Sequence, residues 1–348
     1  MVNCCNFKKI TLFLHFFCRV DTDCPLDVLS LRKNLSNLDG SEGTTGLRIF
    51  ERFEGRDDVE LLKISSELRK DINERKRLIN ESDITFLCLP DDAARESVSL
   101  IENPNVKIID TSTAHRTEPD WAYGFAELSD GHRNAIKNGK RIAVPGCYAT
   151  GFISLVYPMI AKGLMDKDYP VSSFALSGYS GAGKKVIAAY EAEERPKDFD
   201  APREYALTQQ HKHLKEMKKI TGLSKEPLFS PIICDYYSGM VVSVPLYANM
   251  LKGVKSVEDV HKMMSDFYAN QKFVKVMPLD AQAGEGNMLA GNACSGWDGL
   301  RIFVTGNEER IVLSSQFDNL GKGASGAAIQ CLNIMLGCEE DKGLQINY

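Results

Sequence analysis

The sequence predicts an α/β protein: a Rossmann-type, doubly wound parallel sheet, followed by an α+β domain built on a mixed sheet. Its 348 residues are enough for two domains, and 43% of them are apolar while 26% are charged, as in ordinary globular proteins. Short apolar runs separated by helical or loop segments recur through residues 59–146, which is typical of buried parallel strands. Beyond residue 171, strand-like segments mixed with helices favour a mixed or antiparallel sheet.

The first 35 residues are predicted to form a poorly ordered extension. Their apolar stretch ITLFLHFFC, residues 10–18, is far shorter than the roughly 20 residues that span a bilayer, and no small-x-small cleavage site follows it. The strand expected before the next motif is then KNLSNLD, residues 33–39. It makes a poor central strand because Asn34, Ser36 and Asn37 interrupt its apolar positions.

A glycine motif opens the first predicted helix. Gly40, Gly43 and Gly46 recur at three-residue spacing, with Thr44 and Thr45 between them. Such a loop lets the backbone approach a pyrophosphate closely, and the helix N-terminus supplies N–H donors toward its charge. An ordinary glycine turn before a helix is the alternative on spacing alone.

The strands that follow the loop favour a dinucleotide cofactor. Four apolar runs are predicted as strands of one sheet: VELLKIS (59–65), DITFLCLP (83–90), VKIIDTS (106–112) and KRIAVPG (140–146). Where an NAD site would carry an acidic residue after the second strand, the chain has serines and then Arg69 and Lys70. Basic groups at that position indicate a 2′-phosphate and hence NADP, unless they belong to a solvated helix face.

Cys147 lies in VPGCYATG, between a predicted strand and a predicted helix. That junction exposes a side chain at the carboxyl edge of the sheet, and the positive helix end favours a thiolate, so the position suits a nucleophile. The alternative is a small buried residue in a tight connection. The chain has ten cysteines and no C-x-x-C pair, which predicts reduced thiols in a cytoplasmic protein and no metal site.

A nucleophilic cysteine needs a base, and the stretch QQHKHLKEM supplies two histidines, His211 and His213. At i and i+2 they point in different directions on a helix, so one of them is expected to face the cleft. Arg116, after the strand that ends at Asp110, is predicted to clamp a carboxylate or phosphate. A surface ion pair with Glu118 or Asp120 is the alternative. The formal net charge of −5 shows no basic excess, which argues for a small-molecule substrate and against nucleic acid.

These residues carry a resemblance to a known family. GSEGTTGLRI, DTSTAHR, WAYGFAEL, VPGCYATG, SGYSGAGKK, YALTQQHKHLKEM and DNLGKGASGAAIQ occur in order over residues 38–337. Together they resemble the second, shorter type of N-acetyl-gamma-glutamyl-phosphate reductase, within the aspartate-semialdehyde dehydrogenase superfamily. The resemblance implies NADPH-dependent reduction of N-acetyl-gamma-glutamyl phosphate to the semialdehyde with release of phosphate, in arginine biosynthesis, by a cytoplasmic homo-oligomer (dimer or tetramer).

The resemblance also implies roles for individual residues. Cys147 would form a thioester, His211 would transfer protons, and His213 would contact the substrate. Ser112 and Arg116 would hold the substrate. The cofactor would contact the following residues: Gly40, Gly43, Thr44, Thr45 and Gly46 at the pyrophosphate, and Asn319, Lys322, Gly323 and Ala324 near the nicotinamide.

The expected domain division follows from these motifs: an NADP-binding Rossmann domain over residues 36–147, a catalytic and dimerisation domain over 148–317, and over 318–348 a C-terminal helix packing back on the first domain. Three other readings stay open: a related reductase acting on another acyl phosphate such as that of aspartate, a cysteine hydrolase that uses no nucleotide, and an inactive dinucleotide-binding module.

Overall fold

The computed structural model describes residues 8–14, 44–53, 55–62, 64–65, 67–68, 71–279 and 287–348. Two sheets organise this part of the chain. The first contains β1 (Lys8–Leu14), β2 (Val59–Leu62), β3 (Ile84–Cys88), β4 (Lys107–Asp110), β5 (Ala122–Tyr123) and β6 (Arg141–Ala143). Its helices are α1 (Thr44–Glu51), α2 (Ile72–Glu81), α3 (Asp91–Ser99) and α4 (Asp130–Asn138).

The second sheet contains β7 (Ser172–Gly178), β8 (Arg203–Glu204), β9 (Leu228–Cys234), β10 (Met240–Tyr247), β11 (Val274–Val276), β12 (Leu300–Gly306) and β13 (Arg310–Phe317). The remaining helices are α5 (Cys147–Ala161), α6 (Lys184–Tyr190), α7 (His213–Thr221), α8 (Val257–Tyr268) and α9 (Gly326–Leu336). Among the described residues, none of the helices combines the length and the apolar character needed to cross a membrane.

The first sheet is parallel throughout, in the order β2-β1-β3-β4-β6-β5. Helices cover both faces. On β3, Phe86 packs in one apolar cluster with α1 and α9, while the next residue, Leu87, packs in another with α2 and α3. Successive side chains of a strand point to opposite faces, so a parallel strand buried on both sides shows an unbroken apolar run. The predicted doubly wound sheet is confirmed.

The strand β1 corrects the prediction for the N-terminal segment. Lys8–Leu14 lies within the 35 residues read as a poorly ordered extension, yet it pairs with β2 on one side and β3 on the other. Ile10 is fully buried in the core beside β3. A run of β-branched and aromatic residues suits a central strand better than the interrupted segment 33–39, which lies outside the described residues.

The second sheet has the order β11-β12-β13-β10-β7-β9-β8 and mixes parallel with antiparallel pairs. β7 pairs parallel with β9 and antiparallel with β10, and β12 pairs antiparallel with β13. The helices α5, α7 and α8 pack on it and form a continuous apolar core. The predicted mixed sheet is confirmed. After β13 a π-helical turn, Gly321–Ser325, leads into α9, which is buried against the first sheet.

Candidate active site

The candidate nucleophile sits where the two sheets meet. The chain leaves β6, passes Gly146 in an extended conformation, and begins α5 at Cys147. The position that a Cβ would take on Gly146 lies 2.0 Å from His213 Nε2 and 2.4 Å from Arg116 Nη1. Only glycine leaves room for these two side chains at the backbone, so the glycine before the cysteine brings His213 and Arg116 against the nucleophile loop.

The Cys147 thiol is half-buried, and several groups act on it. Burial raises its pKa, while the backbone N–H of Tyr148 and the charges of Arg116 and Lys212 lower it. The net direction is upward. The helix end was expected to favour a thiolate, but desolvation of the charged form outweighs it in the substrate-free protein.

The two histidines lie at the start of α7, within one aromatic group. Their ring centroids are 4.9 Å apart, and both rings contact Tyr148, the residue after the nucleophile, at 5.7 and 5.8 Å. His213 is buried, and His211 is partly exposed. Burial, and then the charge of Lys212, lower the pKa of His211 to about 4. Burial, and then Arg116, hold the pKa of His213 well below its usual range. Both rings are therefore neutral at neutral pH.

The backbone determines the tautomer of His211. The N–H of His213 donates to His211 Nδ1 at 3.3 Å, and a backbone N–H has no other role than donor. The neutral ring consequently carries its proton on Nε2, which can act as a donor.

The loop before His211 is held by a side-chain amide. Gln209 has a left-handed backbone, with φ of 56°. Its Nε2 donates to the carbonyl of Phe229 at 2.9 Å, and its Oε1 accepts from the N–H of Phe229 at 2.9 Å. This pair of hydrogen bonds to β9 offsets the cost of the left-handed conformation and determines where His211 lies.

Arg116 is 9% exposed and is engaged on three sides. Its Nε donates to the carbonyl of Val144 at 2.9 Å, its Nη2 to the carbonyl of Thr111 at 2.9 Å, and its Nη1 to Glu216 Oε2 at 3.1 Å. The alternative of a surface ion pair with Glu118 or Asp120 is therefore wrong. Of the five guanidinium N–H groups, one on Nη1 and one on Nη2 remain for a substrate.

The hydroxyl of Ser112 is hydrogen-bonded to Asp110. Its hydroxyl donates to Asp110 Oδ2 at 2.7 Å and accepts from the N–H of Ala114 at 3.1 Å. Asp110 is fully buried and also contacts His115 Nδ1 at 2.6 Å. These contacts make Ser112 part of the turn that aims Arg116, while its role as a substrate ligand stays a prediction.

The residues predicted to hold the cofactor are described only in part. Gly40 and Gly43, together with Arg69 and Lys70, lie outside the described residues. Thr44 begins α1, so Thr44, Thr45 and Gly46 form the first turn of the helix after β1.

Of the predicted nicotinamide residues, Gly323 lies directly against the candidate nucleophile. Gly323 approaches it closely, because a Cβ there would lie 2.9 Å from Cys147 Cβ. Half-buried Ala324 follows it in the π-helical turn. Asn319 is buried and joins two loops, accepting from the N–H of Gly239 at 2.8 Å and donating to Ser180 Oγ at 2.9 Å.

Lys322 points away from this cleft. Its ammonium is buried against Glu127 at 2.8 Å and Gln330 at 2.6 Å. Only its backbone is left for a cofactor, so the side chain serves to hold the turn that carries Gly323.

Known proteins share this architecture. Family models match residues 39–138, described as the semialdehyde dehydrogenase NAD binding domain, and residues 147–319, described as the semialdehyde dehydrogenase dimerisation domain. N-acetyl-gamma-glutamyl-phosphate reductase 2 of Nostoc sp. is 44% identical over 315 residues, covering 88% of this chain and 98% of the relative. The reductase of Brucella ovis is 46% identical over 305 residues, covering 86% and 98%. This chain belongs to the N-acetyl-gamma-glutamyl-phosphate reductase family.

Solved structures of aspartate semialdehyde dehydrogenases share the fold of this reductase-family chain. Aspartate semialdehyde dehydrogenase II of Vibrio cholerae, complexed with ASA, has a TM-score of 0.64 at 14% identity, covering 95% of this chain and 99% of that one. Aspartate semialdehyde dehydrogenase of Candida albicans, solved with NADP, has a TM-score of 0.56 at 14% identity, with the same coverage. At this identity the likeness shows the fold alone.

Three residues whose hydrogen bonds support the site of this reductase-family chain are absent from the sequence prediction: Glu216, Tyr123 and Gln209. Glu216 follows His213 by three positions, a spacing that places both on one face of a helix, and this signal was available. Tyr123 and Gln209 had no comparable signal, because their partners lie 93 and 20 residues away.

Proposed function

We propose that this chain reduces N-acetyl-gamma-glutamyl phosphate to N-acetylglutamate 5-semialdehyde, with NADPH as the donor and release of phosphate, in arginine biosynthesis. The observation that carries the proposal is the convergence of Cys147, His213 and Arg116 on Gly146, in a chain 44–46% identical to reductases with that name. The parallel sheet argues against a hydrolase without nucleotide, the site argues against an inactive module, and the identity to reductases of that name favours the acetylated substrate over another acyl phosphate.

Covalent capture of the substrate is assigned to Cys147. Its thiolate attacks the acyl carbon, the bond from that carbon to the phosphate oxygen breaks, and phosphate leaves with its electron pair. The free N–H groups of Arg116 provide a fork for a carboxylate or phosphate, and Lys212 adds positive charge beside the thiol. Because burial keeps the resting thiol protonated, its proton has to be transferred as the carbon–sulfur bond forms, and the oxygen of the departing phosphate is the acceptor.

The second step is reduction of the thioester. The cofactor, when bound, supplies a hydride to the acyl carbon. His211 Nε2–H then donates a hydrogen bond to the oxygen that becomes negative, and that oxygen reforms the carbonyl as the carbon–sulfur bond breaks, so that the aldehyde leaves and Cys147 is released as the thiolate. A neutral imidazole suits this role, because burial and the charge of Lys212 lower its pKa to about 4 and its Nε2–H stays available as a donor at neutral pH.

The described residues fit a dinucleotide. β1 and β3 are neighbours in the sheet, but the chain continues from β1 to β2 on one side and from β3 to β4 on the other. Ligands of open α/β sheets bind at such a switch point. The first turn of α1, with Thr44, Thr45 and Gly46, begins after the carboxyl end of β1 and would hold the pyrophosphate. Because Gly323 has no side chain, its backbone lies against Cys147, in the turn that would contact the nicotinamide.

Assembly and location form part of the same proposal. The match of residues 147–319 to a dimerisation domain supports a homo-oligomer, a dimer or a tetramer. The six described cysteines are free, and the mechanism needs Cys147 reduced, which supports a reducing compartment such as the cytoplasm.

The test is the reverse reaction. N-acetylglutamate semialdehyde, phosphate and NADP are mixed with the protein, and NADPH formation is followed by absorbance. We expect phosphate-dependent turnover that is faster than with aspartate semialdehyde or with NAD. Cys147→Ser should lower the rate by more than about a hundredfold, since it removes the nucleophile, while Cys338→Ser should leave it unchanged.

Two outcomes would contradict the proposal. Faster turnover of aspartate semialdehyde would assign another acyl phosphate. A folded protein that binds no NADPH and turns over neither aldehyde would favour a hydrolase without nucleotide.

A further inference from the structure

Glu216 joins the two domains at the nucleophile. It lies in α7, one turn after His213, and is 2% exposed. Its Oε1 accepts from the hydroxyl of Tyr123 at 2.7 Å and from the N–H of Gly146 at 2.9 Å. Its Oε2 accepts from Arg116 Nη1 at 3.1 Å. One carboxylate thus binds the side chain of Arg116, the backbone just before Cys147, and a tyrosine of the first sheet.

We propose that Glu216 is a positioning residue of the reduction: its carboxylate fixes the backbone that presents Cys147 and balances the charge of Arg116. The proposal deepens the function proposed above and rests on it for the reaction that is measured.

The donor set requires a carboxylate. Three donors surround Glu216, and an ionised carboxylate is the side chain that only accepts. A glutamine could satisfy Tyr123 and Gly146 with its oxygen, but its amide N–H would then meet the N–H of Arg116. A buried guanidinium without its partner is costly, so the pair has to be kept or lost together.

The geometry makes this contact matter for the reaction as well as for packing. His213 Nε2 and Arg116 Nη1 lie within 2.4 Å of the position of a Gly146 Cβ, so the backbone, the histidine and the arginine meet at one point. Glu216 binds two of these three partners from the same helix that carries the third. A shift of α7 would therefore move the nucleophile, the histidine and the arginine relative to one another, and misplacement by about 1 Å costs large factors in rate.

Charge balance gives a signature that packing alone lacks. The charged and titratable groups facing the thiol are Arg116, Lys212, Glu216, Tyr148 and Tyr205. Of these, Arg116 and Lys212 favour the thiolate, and Glu216 opposes it. Removal of the Glu216 charge should therefore make Cys147 ionise at lower pH.

The experiment compares Glu216→Gln with Glu216→Asp, Tyr123→Phe and, as a matched control, Glu226→Gln, which replaces an exposed glutamate beyond the same helix. Three quantities are measured: kcat and KM of the reductase, NADPH binding by fluorescence, and the pH dependence of iodoacetamide modification of Cys147, read by mass spectrometry of its peptide.

We expect Glu216→Gln to lower kcat by about tenfold or more, with NADPH binding unchanged, and to move the alkylation profile of Cys147 by about half a pH unit or more toward lower pH. Tyr123→Phe keeps the ion pair and the Gly146 bond, so its profile should stay in place. Glu216→Asp keeps the charge but retracts the carboxylate, so kcat should fall without a shift. The control should match the unmodified protein in all three measurements.

Wild-type kcat in Glu216→Gln would overturn the proposal, and so would a lower kcat with an unmoved alkylation profile, which would assign a structural role only. If Glu216→Gln yields no folded protein, wild-type kcat in Glu216→Asp would overturn it instead. The alkylation profile needs no substrate. A shift in a protein that fails to turn over the acetylated aldehyde would separate failure of the proposed function from failure of this inference.

Discussion

At Cys147, burial and charge act on one sulfur atom in opposite directions. The thiol lies at the N-terminus of α5, where the N–H of Tyr148 points toward it, and Arg116 and Lys212 add positive charge. Half-buried beside Gly323, it nevertheless has a pKa above its ordinary value, because desolvation penalises the thiolate more than these groups favour it. The sulfur that we propose as the nucleophile therefore rests as a thiol at neutral pH.

The reactivity of Cys147 should follow from that direction. Because its pKa is raised, the thiolate fraction is small at neutral pH and grows as pH rises through the folded-state value. We expect the rate of iodoacetamide modification at Cys147, read by peptide mass spectrometry, to keep rising beyond about pH 8.5, where a free cysteine is half ionised. A plateau reached below about pH 7.5 would mean that the helix end outweighs burial.

Among the elements, β1 is an interior strand of the first sheet. Hydrogen-bonded partners flank it on both sides, and its carboxyl end is the edge from which α1 is reached. In the strand order, β1 joins the edge strand β2 to the other four strands of the sheet. We therefore expect this segment to be required for the stability of the domain that would hold the nucleotide.

Ile10→Ala tests that role. Ile10 is fully buried, so the change leaves a cavity and should lower the free energy of unfolding by about 2–5 kcal/mol, measured by urea unfolding with and without NADPH. Ile72→Ala, on the exposed start of α2 at 48% exposure, is the matched control and should change it by less than about 1 kcal/mol. Equal effects of the two substitutions would place β1 outside the cooperative core.

At the scale of the whole molecule, a buried ion pair connects the C-terminal region to the first domain. Lys322, in the turn before α9, contacts Glu127, which follows β5, and its ammonium lies 5.1 Å from the ring centroids of Phe125 and Phe273. Burial favours the neutral form of Glu127, but Lys322, the amide of Gln330 and a backbone N–H together outweigh it and hold the pKa of that carboxyl below its ordinary value. The pair fixes the turn whose Gly323 contacts the nucleophile.

Lys322→Met should leave the Glu127 carboxylate buried without its partner and lower the free energy of unfolding at pH 7 by about 3 kcal/mol or more. Adding Glu127→Gln should recover part of that loss, because the uncompensated charge is gone. Urea unfolding at pH 7 measures both. The depressed pKa of Glu127 means that the ion pair contributes stability above about pH 4.3, and that this stability is lost as pH falls through the folded-state pKa. The unfolding free energies of the unmodified protein and Lys322→Met should therefore converge in acid. A double variant no more stable than the single one would contradict this account.

The sequence by itself determined the fold class, the main strands, the junction that carries Cys147, and the family. Each depends on local information: apolar runs over β3, β4 and β6, glycine before a helix, and motifs of seven to thirteen residues. Secondary structure and motif chemistry are encoded within such windows, since the periodicity of side chains is a property of neighbouring positions.

Only the tertiary structure decided which groups meet. Arg116 was assigned either a substrate or a nearby acid, yet its partner is Glu216, 100 residues away, and Lys322 is turned inward by Glu127, 195 residues away. The sequence likewise predicts the first strand directly before the glycine loop, whereas the strand that pairs with β2 is Lys8–Leu14. Contacts across such separations depend on how the two sheets pack, and no periodicity within the sequence records that packing.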